Sequence, residues 1–138
     1  MNSCILLTYL FFMVPQTGKT LEDFRWKNRL LIINFENSIL DSILESSEKK
    51  IEERKLLLVE FNKDEFIQTS GEDEIDSTGF LKVLSQTSST TEWVLIGLDG
   101  GVKASGTFQE FSMKQVFSLI DQMPMRQSEI QSRIEDNK

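Results

Sequence analysis

With 138 residues the chain has room for one hydrophobic core, and its 39% hydrophobic and 27% charged residues are those of a soluble globular domain. A formal net charge of -7, from 15 Lys and Arg against 22 Asp and Glu, excludes the basic footprint of a nucleic-acid binder and disfavours docking on anionic membranes. There is no histidine, and the one cysteine is Cys4. A Ser-His-Asp triad and a Cys/His zinc site are therefore excluded.

The first feature is an uncharged run from Cys4 to Val14. It has the length of a signal-peptide apolar region and falls short of the ~20 residues that span a bilayer. Pro15 breaks the run, and Gln16-Thr17-Gly18 offers small residues for cleavage. Residues 1–18 are thus predicted to be a signal peptide, which makes the chain secreted, periplasmic or envelope-associated and removes its only thiol. Thr20 to Lys27 leads into the domain and carries Phe24 and Trp26.

Arg29 to Phe35 is a continuous rather than alternating apolar run, the pattern of a strand buried on both faces. A helix capped by Asn37 or Ser38 is predicted next, with Ile39, Leu40, Ile43, Leu44 and Ile51 on one face. Leu56 to Phe61 follows as a second buried strand, which completes a strand–helix–strand unit with parallel strands.

Asn62 to Ser77 reads as a polar interlude. Between Asp64 and Asp76 it holds six acidic residues, Asp64, Glu65, Glu72, Asp73, Glu74 and Asp76, and no basic one. A short helix is predicted over Thr78 to Leu84, anchored by Phe80, Leu81, Val83 and Leu84. The third strand runs from Trp93 to Leu98, with Trp93 expected in the core. Asp99-Gly100 is a strong hairpin signal, so Val102 to Phe108 returns antiparallel.

The last helix begins at Ser112, which with Gln115 forms a capping-box pattern, and carries Met113, Val116, Phe117 and Ile120 on its apolar face. Pro124 is expected to end or kink it. Beyond Gln127 the chain is polar, and residues 132–138 are expected to form a frayed tail. The order β-α-β, α, β-β-α predicts a thioredoxin-like α/β domain, with a mixed four-stranded sheet and helices on both faces.

Three segments make the pattern more specific: Arg25-Trp26-Lys27-Asn28-Arg29-Leu30, Gly97-Leu98-Asp99-Gly100-Gly101-Val102-Lys103, and Ile120-Asp121-Gln122-Met123-Pro124-Met125-Arg126-Gln127. Together they resemble the family called domain of unknown function 4174, over about residues 20 to 131. The resemblance implies a small exported protein of thioredoxin-like fold with no established activity, some of whose relatives keep no redox cysteine.

Thioredoxin chemistry requires a low-pKa cysteine where the first helix begins. Asn37-Ser38-Ile39-Leu40 stands there instead, with Ser38 read as a helix cap. Thr90-Thr91-Glu92 occupies the position where redox members of the fold carry a cis-proline. The chain is accordingly expected to be a redox-inactive binding module without cofactor, catalytic residue or metal ligand. Its partner is expected to be a protein, and Trp26, Met123, Met125 and Arg126 are the candidate contact residues. The alternative is a non-thiol enzyme or a calcium-binding protein that uses the acidic segment 64–76, although that segment lacks EF-hand spacing.

Overall fold

The apolar run from Arg29 forms the central strand of the protein in a computed structural model that describes residues 18–138. The core of the predicted signal peptide and Cys4 lie outside the described residues. Among those residues no helix is long and apolar enough to cross a membrane. In chain order the elements are α1 (Leu21–Phe24), β1 (Arg29–Asn34), α2 (Leu40–Glu53), β2 (Leu56–Asn62), β3 (Glu65–Thr69), α3 (Ser77–Thr87), β4 (Trp93–Ile96), β5 (Val102–Gly106), a 3-10 turn (Phe108–Glu110), α4 (Met113–Asp121) and α5 (Pro124–Asp136).

The strands form one mixed sheet in the order β3-β2-β1-β4-β5. β1 is parallel to β2, with Leu31 opposite Leu58, and antiparallel to β4, with Leu31 opposite Leu95. Side chains alternate across the pleat, and both faces are covered. Leu31 and Ile33 pack with Leu40, Ile43 and Ile51 of α2 and Val116, Phe117 and Ile120 of α4. Leu30 and Ile32 pack on the opposite face with Phe24 of α1 and Phe80 and Leu84 of α3. Burial on both sides explains why β1 shows no polar alternation. Trp93 is buried, and its indole N–H donates to the Thr107 carbonyl at 3.0 Å.

The sheet has five strands, not the four expected. Within the predicted polar interlude, Glu65–Thr69 folds back on β2 with Asn62 opposite Glu65. The two-residue turn between them is Lys63-Asp64, with φ of 47° and 65°. Positive φ at both positions is the requirement of a type I′ turn, which usually advertises itself by Asn-Gly. Here the turn is secured by side chains instead. Asn34 donates to the Asp64 carboxylate at 2.9 Å, and the Asp64 amide donates back to Asn34 Oδ1 at 3.2 Å.

Two helix termini also differ from expectation. Pro124 does end one helix, but it starts another, occupying the first position of α5. Proline suits that position because its missing N–H would be unpaired there in any case. The segment read as a polar tail is consequently helical as far as Asp136. At α2, Ser38 is not the cap. The N-cap residue is Ile39, and a carboxylate from the neighbouring strand supplies the acceptor. Glu60 of β2, only 1% exposed, accepts from the amides of Ile39 at 2.7 Å and Leu40 at 3.3 Å. Ser38 Oγ and Gln68 Nε2 donate to its other oxygen. Ser112 is the N-cap of α4 as predicted, but its side chain makes no capping bond.

Candidate functional site

The three motif segments, far apart in sequence, meet at one pole of the sheet, where β1 begins and β4 ends. The hairpin turn Gly97–Gly101 is the hub. Gly97 N–H donates to Gly101 O at 2.9 Å, and Gly100 takes a φ of 82° that glycine adopts without strain. On one side the Trp26 amide donates to the Leu98 carbonyl at 2.7 Å, while the Arg25 side chain lies against Gly100. On the other side, Leu98 and Asp99 border the Met123-Pro124-Met125 segment.

Of the predicted contact residues, Trp26 and Met125 are exposed, at 59% and 44%. Trp26 also has a φ of 65°, a left-handed conformation that is an outlier for a bulky residue and of the strained kind that clusters at functional sites. Arg25 lies 5.7 Å from the centroid of the Trp26 ring. Met123 is half-buried and packs on the core near α2 and α4. Arg126 points inward and is 5% exposed. It donates to the Glu53 carbonyl at 2.9 Å and forms ion pairs with Asp121 and Glu129.

Arg126 belongs to a network that the sequence reading did not find. Arg54 grips Asp121 in a two-pronged pair at 2.9 and 2.7 Å and lies 4.8 Å from the centre of the Phe117 ring. Glu129 receives Arg29, Lys55 and Arg126. Four cations thus share two carboxylates, which leaves a local positive excess in a chain whose net charge is -7. Burial pushes the Asp121 carboxyl up, but the hydrogen bonds and charges of Arg54 and Arg126 outweigh it and hold the group below its ordinary value of 3.8. The one signal in the sequence was a charged residue, Arg29, directly before the apolar run Leu30–Ile33.

Arg29 is fully buried. Its Nη1 donates to the Arg54 carbonyl at 2.9 Å and reaches Glu129 at 3.3 Å. Its Nε and Nη2 have no acceptor among the described residues. Buried guanidinium nitrogens are seldom left unpaired. Arg29 also forms part of the wall of a cavity of about 250 Å³, shared with Leu98, Asp99, Lys103, Met123 and Met125. Asp99 accepts from Gly101 N–H at 3.0 Å and Lys103 Nζ at 2.9 Å. The Lys103 bond, reinforced by Gly101, holds its carboxyl below the usual range.

A larger cleft of about 1250 Å³ lies at the other end of β1, between α3 and the loop before β4. Three of its polar groups serve the fold: Asn34 and Asp64 secure the β2–β3 turn, and Glu92 accepts the Phe108 amide at 2.7 Å. The acidic segment is dispersed in the same way. Asp64 and Glu65 lie at the β2–β3 hairpin, Asp73 pairs with Lys19 at 3.0 Å, and Asp76 caps α3 through Thr78 N–H. Among the described residues no three carboxylates come together in a way that would hold a metal ion.

These features define a small mixed α/β domain whose distinctive residues gather at one sheet end around an interior arginine network. The model of the family described as domain of unknown function (DUF4174) matches residues 20–129, and the chain belongs to that family. No curated protein and no solved structure matches it.

Proposed function

We propose that this chain is an exported, redox-inactive binding module of thioredoxin-like architecture, which holds a protein partner at the pole where its three motif segments meet. The observation that carries this reading is Trp26, exposed beside the hairpin hub in a backbone conformation that costs free energy and brings the core no compensating burial. Aromatic side chains in such positions dominate binding energetics at protein interfaces. Met125 supplies an adaptable apolar neighbour at the same pole. The order β2-β1-β4-β5, with helices on both faces, supports the thioredoxin-like arrangement, β3 being an added edge strand. Redox inactivity is supported at the start of α2. There the helix terminus that would stabilise a thiolate carries no cysteine and is already closed by the Glu60 carboxylate.

The test uses immobilised protein and an extract of its native envelope. A partner should be retained saturably, released by soluble wild-type chain and not by Trp26→Gly. Retention that does not distinguish wild type, variant and an unrelated folded protein overturns the reading. Reduction of insulin disulfides above the buffer rate would overturn the redox assignment.

A further inference from the structure

We infer that the cavity beneath the hairpin hub is a carboxylate-binding site, with the free edge of Arg29 as its anchor. The inference deepens the proposed function, on which it rests for the identity of the binding pole. Nε and Nη2 lie on the same edge of a guanidinium, the edge that takes both oxygens of a carboxylate in parallel hydrogen bonds. In Arg29 both nitrogens on that edge lack a partner among the described residues, while Nη1 is fully engaged by Arg54 and Glu129. The guanidinium is therefore fixed through Nη1, and Arg29 forms part of the wall of the cavity with Nε and Nη2 themselves buried, so a carboxylate reaches that edge by displacing the side chains that cover it.

A second element points to the same place. The 13-residue helix α5 starts at this cavity with Met123 as N-cap and Pro124 as its first residue. Met123 offers no capping acceptor and Pro124 no amide hydrogen, so the positive end of the helix is uncapped beside Arg29. Lys103 adds a further cation to the wall.

The same wall sets the class of ligand. Leu98, Met123 and Met125 provide an apolar lining suited to a short hydrocarbon body. Asp99 stands among them with its oxygens already engaged, and its negative charge disfavours a phosphate dianion more than a carboxylate monoanion. A volume of about 250 Å³ fits one apolar residue and its terminal carboxylate rather than a large cofactor. The two sources of that group are a free small acid and the C-terminus of a partner chain.

The test titrates the isotope-labelled full chain with N-acetyl-leucine, N-acetyl-leucinamide, inorganic phosphate and a hexapeptide ending in leucine. The Arg29 Nε–H resonance and the melting temperature are followed together. The acid is expected to move that resonance saturably and to raise the melting temperature with concentration, as a ligand selective for the folded state does. The amide and phosphate should bind at least tenfold more weakly. Tighter binding of the hexapeptide than of the acid assigns a chain terminus as the source, and equal binding assigns a small acid.

Because Arg29→Gln risks misfolding, the companion variant is Met125→Glu, at the exposed rim. It should keep the wild-type melting temperature and weaken the acid at least tenfold. An unmoved Arg29 resonance, equal binding of acid and amide, or binding of phosphate alone overturns the inference. Loss of partner retention in Trp26→Gly without any carboxylate binding removes this inference and leaves the proposed function standing. Carboxylate binding with retention unchanged in Trp26→Gly does the reverse.

Discussion

The carboxylate of Glu60 accepts the amide of Ile39 at 2.7 Å, so that a residue on β2 closes the N-terminus of α2. The same oxygen reaches the Leu40 amide, and the other oxygen takes Ser38 Oγ. Removing this group strands two helix amides in a buried setting, where an unpaired donor costs about 1–3 kcal/mol. Glu60→Ala is expected to lose about 2–4 kcal/mol, combining those orphaned donors with the lost charge–dipole attraction. Glu60→Gln keeps one carbonyl oxygen and should lose roughly half as much. Urea unfolding measures both, and an alanine variant within about 0.5 kcal/mol of wild type would show that α2 needs no cap from the sheet.

Trp26 separates stability from binding. Its φ of 65° costs a bulky side chain of order 1 kcal/mol, which glycine does not incur. Against that, Trp26→Gly gives up the contacts of a side chain that is 59% exposed and loosens the unfolded chain. The terms are similar in size, so the variant should unfold within about 1 kcal/mol of wild type while partner retention falls at least tenfold. A large loss of stability with retention intact would make Trp26 a folding residue instead.

The ion network predicts an acid-sensitive limb. Asp121 titrates below its ordinary value of 3.8 when folded and near that value when unfolded. At falling pH the unfolded chain takes up the proton first, so stability is lost as the pH drops below about 4 and is fully present above about 5. Asp121→Asn removes this contribution. Its stability curve should be lower than wild type near neutrality and flatter between pH 5 and 3. Parallel curves for the two proteins would exclude Asp121 as a source of acid sensitivity.

The elements legible in the sequence are those whose signals are local. β1 and β2 each carry a run of four apolar residues, Leu30–Ile33 and Leu56–Val59, α2 and α4 show 3.6-residue periodicity, and Asp99-Gly100 declares its hairpin. What was missed is set by distant partners. β3 is an exposed edge strand whose turn has no glycine, and its positive φ values are held by Asn34, thirty residues from Asp64. Pro124 reads as a stop when the helix before it is followed, but proline equally suits the first position of a helix, and the packing of Arg126 against Glu53, Asp121 and Glu129 holds the one that begins there. The candidate site divides in the same way. Trp26 and Met125 stood out by type, whereas the unpaired edge of Arg29 exists only once β1, the hairpin and α5 have come together.

The Lys63-Asp64 turn tests the explanation given for β3. Both residues sit at positive φ, where asparagine is tolerated better than lysine, and among the described residues no hydrogen bond or ion pair holds the Lys63 side chain. Lys63→Asn should stabilise the chain by about 0.5 kcal/mol, a rise of roughly 2 °C in melting temperature. Asp64→Gly also relieves a left-handed residue, but it deletes the acceptor for Asn34 Nδ2 at 2.9 Å. Relief and loss are each about 1 kcal/mol, so this second variant should gain nothing and lose protection of the β3 amides in hydrogen exchange. If Asp64→Gly stabilises the chain more than Lys63→Asn does, the Asn34 contact is not what holds the turn, and the edge strand owes its place to backbone pairing with β2 alone.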